Sequence, residues 1–283
     1  MKLNKKPKEI EKTLVSFNST GLLLKSLMSG INAISPETVL QFAKNGIKVD
    51  FMDAVHVTMC HIFISSVDLD DYLYMSETDE KSGNYAESVD FGIDAAYLSK
   101  FLKKMTKKST VRIQIVKRET GRLRMKIIHP NVTYMRDALE IDPKKLPLQQ
   151  FRDIPTTEEL EINTKAFNTM LLDVGLLTDR FGLRFDTDND YIEMTNAGYY
   201  GEDVVSKIED YTPKKDFECA FTVKKLKACM KFAKFGQQIV IPEFTMKTGD
   251  DRPMYLTMYY PEMDDRSYIE IFIAQRVDAQ YDD

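Results

Sequence analysis

The stretches VDFGIDAAYLSKFLKKM (89–105) and FECAFTVKKLKACMKFA (217–233) follow one plan in opposite halves of the chain. Each reads as an extended strand, then a polar cap, then an amphipathic helix that carries lysines. Asp94 and Thr222 stand at the cap positions, where a side-chain oxygen can accept from the free amides of a first helical turn. In the first helix Leu98, Phe101, Leu102 and Met105 recur at the spacing of one face. At ~100° per residue, Lys100, Lys103, Lys104, Lys107 and Lys108 gather within roughly 140° on the opposite side. In the second helix Lys224, Lys227, Lys231 and Lys234 form another stripe. One lysine face is often only a solvated surface. Two matched stripes at matched positions ask for a common anionic partner.

The repetition extends beyond these helices. Apolar periodicity predicts helices at 20–34, 95–107, 165–177 and 223–235. Segments rich in β-branched and aromatic residues predict strands within 46–64, 109–129, 181–195, 237–260 and 267–277, with a hairpin at Glu119-Thr120-Gly121. Strand, helix, strands, helix, strands runs once over 13–138 and again over 157–277. The expected fold class is therefore α+β, with two similar domains at 13–137 and 157–283 after a basic arm at 1–12. A connector, 138–156, lies between them. Its prolines, Pro143, Pro147 and Pro155, argue against a regular helix or a central strand. It nevertheless carries Leu146, Leu148, Phe151 and Ile154, which suits a segment that lies on the domains or borders a groove.

Charge limits where an anion could bind. The chain has 39 Lys plus Arg against 44 Asp plus Glu, a net charge of -5, so nucleic acid would have to meet a local patch. Three cysteines, Cys60, Cys219 and Cys229, have no metal-type spacing, which points to a reducing, intracellular setting and not to secretion. No apolar run reaches membrane-spanning length. Catalytic signatures are missing too: there is no phosphate-binding glycine loop and no HExxH. DTDND (186–190) has Tyr191 and Ala197 where a calcium loop needs Gly and Glu, so it reads as a polar hairpin tip. His56 and His61, five apart in a strand-like segment, would point to opposite faces. No enzyme activity, metal or cofactor is expected.

Four strings, in order, resemble the sliding clamp family of the proliferating cell nuclear antigen type. They are GIKVDFMDAVHVTMCHIFI, with Met52, Asp53, His56 and Val57 in an MDxxHV pattern; LQQFRDIP at the connector's end; DRPMYLTMYY, with Pro253 opening a late strand; and IEIFIAQRVD. The departures suit a divergent member, of the kind a virus or phage encodes. The resemblance implies the DNA clamp fold, with antiparallel sheets outside and α-helices lining a central hole. It implies a homotrimeric ring around double-stranded DNA, bound without regard to sequence, that serves as a polymerase processivity factor. Carried over by position, the DNA-facing residues are Lys25, Lys100, Lys103, Lys104, Lys107, Lys108, Lys224, Lys227 and Lys231. The third helix departs from the family pattern, with Asn168 and Leu172 at expected arginine positions and Lys165 its only basic residue.

The family also implies a groove under the connector. It would receive a short motif from DNA polymerase and other replication and repair proteins, and a clamp loader is a further implied partner. The matching residues are Met52, His56, Leu148, Phe151, Ile154, Pro253, Phe272 and Ala274, with Gln275 where the family has a proline. Edge strands at 131–141 and 201–209 would join the subunits. The setting implied is a site of DNA replication, in the nucleus or at a viral or phage replication site. A subunit of a heterotrimeric checkpoint-type clamp, or a monomeric clamp-like DNA-binding factor, is the alternative on the same fold. A DNA-modifying enzyme is the alternative from another class.

Overall fold

The structure, a computed structural model, describes residues 11–75, 87–103, 105–106, 109–143, 145–198, 201–208, 211–235, 239–259 and 266–276. In the first half β1 (Glu11–Thr20) and α1 (Gly21–Ile34) lead to the meander β2 (Glu37–Ala43), β3 (Gly46–Met52) and β4 (Thr58–Ser65), and then to β5 (Asp70–Tyr74), which pairs with β1. Next come β6 (Ser88–Asp94), α2 (Ala95–Leu102), β7 (Thr110–Arg118), β8 (Leu123–His129) and β9 (Val132–Asp137). The connector holds α3 (Leu148–Arg152). The second half runs β10 (Glu158–Asn163), α4 (Thr164–Leu177), β11 (Arg180–Asp186), β12 (Tyr191–Gly198), β13 (Gly201–Ile208), β14 (Phe217–Thr222) and α5 (Val223–Cys229). It ends with β15 (Lys234–Phe235), β16 (Ile239–Val240), β17 (Glu243–Thr248), β18 (Met254–Tyr259) and β19 (Tyr268–Ile273).

The helix starts follow from their caps. Thr20 Oγ1 accepts from Leu23 N at 3.3 Å, Asp94 Oδ1 from Tyr97 N at 2.8 Å and Asn163 Oδ1 from Ala166 N at 3.0 Å. Such a cap contributes about 1 kcal/mol. Thr222 makes no cap bond. Asp179 replaces it, accepting from Lys224 N at 3.0 Å from across the α4–β11 turn.

The helix ends differ from the pattern-based expectation. The helix predicted over 95–107 stops at Leu102, although Met105 is buried. Thr106 N donates to Ser109 Oγ and Ser109 N to Thr106 O, and this turn delivers Ser109 O to Gly21 N at 2.7 Å. The need to start β7 beside β1 thus overrides the apolar periodicity. The helix predicted over 223–235 stops at Cys229, and Lys231 sits in the following turn while Lys234 begins β15. The connector, expected to hold no helix, contains α3, because Pro147 precedes its first turn, where a missing N–H costs nothing. The single strand-like segment 46–64 is a hairpin, and His56 lies at its turn with φ 59° and not in a strand.

Three antiparallel sheets carry the architecture. One has the order β5-β1-β7-β8-β9, another β13-β12-β11-β14, and the largest β10-β17-β18-β19-β4-β3-β2-β6. The last crosses the midpoint of the sequence where β19 pairs with β4, Phe272 opposite Met59. The two halves therefore share one sheet, and a single continuous apolar core under the helices. The fully buried Phe232 packs so closely on α1 that a Cβ at Gly30 would lie 2.3 Å from its ring. Asp53 ties the same halves together: its carboxylate accepts from Val57 N at 2.8 Å, from Thr58 N at 3.1 Å and from Lys225 Nζ on α5. All three cysteines are buried as free thiols, and burial pushes the Cys219 thiol up to about 12.

Candidate nucleic-acid face and outer groove

The long helices form one layer in which α2 packs on α1, α1 on α5 and α5 on α4. Their inner faces bury Leu27, Ile31, Leu98, Leu102, Leu171, Val174 and Leu226. This leaves the opposite faces to solvent. On them stand Lys25 of α1, half-buried, and Lys100 of α2, exposed, with exposed Lys103 just past its end. On α5 Lys224 is exposed and Lys227 half-buried, and Lys231 is exposed in the turn beyond. Lys227 lies over α4, its amine 2.1 Å from where a Cβ on Gly175 would be. Ala33, Leu176, Lys224, Lys227 and Lys231 line one open cleft, so the outward faces of α1, α4 and α5 look the same way. Lys104, Lys107 and Lys108 lie outside the described residues. With α2 ending at Leu102, the five-lysine helical arc does not form as such.

Three lysines of this layer have roles that the residue pattern hides. Lys225 turns inward to Asp53. Burial works to raise the Asp53 pKa, but the hydrogen bonds from Lys225, Thr58 N and Val57 N outweigh it and hold the carboxyl below its ordinary range. Lys100 and Lys227 occupy last-turn positions, where a cation is favoured by the helix dipole. The stripe of α4 is different in kind. Its exposed positions are Lys165, Ala166, Thr169, Leu172, Asp173, Leu176 and Leu177, one cation and one carboxylate among mostly uncharged side chains, and Leu176 is 84% exposed. This helix offers apolar surface where its neighbours offer charge.

Among the strands that end a sheet are β9 and β13, one in each half of the chain. β9 pairs only with β8 and β13 only with β12. Their ranges fall within the edge segments predicted at 131–141 and 201–209. β9 exposes Val132 and Met135, and Tyr97 of α2 beside it is exposed under the Arg136 guanidinium, 4.6 Å from the ring centroid. Free edges with apolar side chains invite another strand.

The largest sheet carries an apolar row on its outer face. Tyr255 lies opposite Phe272, Phe272 opposite Met59, and Met59 opposite Met52, across four successive strands. Tyr255 stacks on Phe272 with centroids 4.6 Å apart. The connector closes over this row: Leu148 is buried against Met59 and Phe272, Leu146 packs beside it, and Phe151 meets Phe272 at 5.5 Å. Of the eight positions expected at the groove, Met52, Leu148, Phe151 and Phe272 come together. His56 is exposed at the hairpin turn, adjacent to exposed Ala274 through the Ala274 N to Val57 O bond of 2.9 Å. Pro253 and Ile154 are half-buried and outside the apolar cluster. Gln275 donates to Gly249 O and Arg252 O, fixing the turn before Pro253. Met59 and Tyr255 were missed, although Met59 is the hairpin partner of Met52.

A polar row adjoins the apolar one. Arg152 of α3 donates to Glu270 Oε2 through Nε at 3.0 Å and through Nη2, and Tyr255 Oη donates to Glu270 Oε1 at 2.5 Å. Burial tends to lower the Arg152 pKa, but Glu270 outweighs it and raises it; burial and then Glu270 raise that of Tyr255. Farther along, His61 Nδ1 lies 2.5 Å from Asp50 Oδ1.

No family model matches the chain. It is 20% identical over 258 residues to a DNA polymerase sliding clamp of Methanothermobacter thermautotrophicus, covering 91% of this chain and 96% of that one. It is 22% identical over 246 residues to a DNA polymerase sliding clamp of Methanobrevibacter smithii, covering 85% and 89%. Among solved structures it superposes with a TM-score of 0.73 and 18% identity on an A. fulgidus PCNA bound to the C-terminal region of FEN-1. It superposes with the same TM-score and 14% identity on the proliferating cell nuclear antigen of Entamoeba histolytica. Each superposition covers 94% of this chain and 100% of the other. The chain has the clamp fold and is a divergent relative of these proteins.

Proposed function

We propose that this clamp-fold chain is a DNA sliding clamp, a processivity factor that encircles duplex DNA and carries no catalysis of its own. The observation that carries this is the helix layer. A chain of net charge -5 concentrates Lys25, Lys100, Lys103, Lys224, Lys227 and Lys231 on one helical face, opposite its sheets. Such contacts to phosphate are electrostatic and read no sequence, so a protein held only by them can slide. An acidic remainder discourages DNA from binding elsewhere. The naming of its relatives as DNA polymerase sliding clamps supports the same reading.

In this account three copies close a ring. β9 of one copy pairs with β13 of the next, which covers these two edges. The contact would also cover Val132 and Met135, the apolar surface that edge exposes. The outer groove receives partners, polymerase among them, and the FEN-1 segment held by the A. fulgidus relative supports a groove for short motifs. A clamp loader would open the ring.

Light scattering at moderate salt tests the assembly. A native mass near three times 32.7 kDa is expected. A monomer at every concentration would overturn the closed homotrimer and leave the lysines as a one-sided cradle.

A further inference from the structure

The connector fills the groove that it was expected only to border. Leu148 and Phe151 stand one helical turn apart on α3, and both pack into the trough formed by Met59, Phe272 and Tyr255. Leu148 is 9% exposed, the burial of a core residue. Arg152, next in sequence, grips Glu270 with two nitrogens, two positions along β19 from Phe272. A helix of one turn has almost no stability of its own, so α3 owes its order to these contacts. An aliphatic and an aromatic side chain, one turn apart on a short helix, are also what an incoming apolar motif would place there.

We propose that α3 is an intramolecular plug. It occupies the seat of a partner's motif, and a partner binds by displacing it, against the Arg152–Glu270 pair. This rests on the groove assignment made above. It also defines the partner that fits best. Such a segment presents an aliphatic and an aromatic residue one helical turn apart. It follows the aromatic with a lysine or arginine, so that the buried Glu270 carboxylate is paired again when Arg152 leaves. A partner without that cation would leave a desolvated charge unpaired, which is costly.

The test uses two labelled peptides. One is the chain's own connector, KLPLQQFRDIP (145–155), and the other is the C-terminal FEN-1 peptide that the A. fulgidus PCNA binds. They are titrated against the full-length protein, Arg152→Ala, Arg152→Lys and the double variant Leu148→Ala/Phe151→Ala. The connector peptide is expected to bind the double variant and not the unaltered protein. The FEN-1 peptide is expected to bind Arg152→Ala roughly tenfold more tightly than the unaltered protein, with Arg152→Lys in between. Circular dichroism on each variant confirms that the fold is retained. Equal affinity of the FEN-1 peptide for the unaltered protein and Arg152→Ala would overturn the plug and leave the groove standing. Failure of the connector peptide to bind the folded double variant would likewise overturn the plug. Binding of the connector peptide to the double variant, with no FEN-1 binding to any form, would support the plug and count against the partner groove.

Discussion

Replacing Lys100, Lys103, Lys224 and Lys231 together with glutamate is expected to weaken association with duplex DNA by at least about a hundredfold at low salt. All four side chains are exposed and make no ion pair among the described residues, so the fold should be unaffected. Each phosphate contact contributes a counterion-release term, so the slope of log affinity against log salt should fall by roughly 0.9 per lysine that touches DNA. The loss should be the same for any sequence, because no base is read. Filter binding or anisotropy across a salt series measures both quantities. Unchanged affinity and slope would place the DNA elsewhere on the molecule. The exposed leucines of α4 make a contrast within the same experiment: Leu172→Ala should leave the salt slope as it is.

The second large effect falls on stability. Asp53→Ala is expected to cost about 3 kcal/mol, since it removes one acceptor from two backbone amides and leaves Lys225 without its partner. For a chain of this size that is a fall in Tm of roughly 6 to 10 °C. The side chain is only 4% exposed, so water cannot take over its role. Its depressed pKa adds a pH signature. A carboxyl whose folded pKa lies below the unfolded value of about 3.9 contributes stability that is fully present above that value. The contribution is lost as pH falls through the folded pKa. Acid unfolding of the unaltered protein should therefore be steeper than that of Asp53→Asn. Equal Tm values for the unaltered protein and Asp53→Ala would show that the hairpin turn and α5 hold together without this contact.

How far the residues alone specify this molecule varies from element to element. Of the two caps read from the residues, Asp94 forms its bond to Tyr97 N, whereas Thr222 does not and Asp179, distant in sequence, caps α5 in its place. The helix ends are not legible. Met105 continues the apolar pattern of α2 and is buried, yet it reaches the core from a turn, because Ser109 must meet Gly21 to start β7. Local periodicity carries no record of such a distant constraint. Hairpins such as Glu119–Gly121 are legible for the opposite reason, since their partners are neighbours in sequence.

The outer groove shows the same division. Met52 and Phe272 could be assigned only by resemblance. The row they form with Met59 and Tyr255 depends on the register between β19 and β4, which lie some two hundred residues apart. Proline content alone does not exclude the α3 turn, because Pro147 sits at a helix start. On the helical layer the basic character of α2 and α5 was plain, but the inward turn of Lys225 was not. It alternates with exposed lysines, and only the position of Asp53 explains it.

Encirclement of DNA is the central claim, and an order-of-addition experiment tests it without any loading factor. Linear duplex biotinylated at both ends is mixed with the protein at low salt, then capped with streptavidin, then washed at high salt. A ring that has threaded onto a free end should remain on the DNA through the wash. It should be absent when streptavidin is added before the protein. Equal retention in both orders, or complete loss by salt in both, would contradict encirclement and leave only a charged surface that touches DNA from one side.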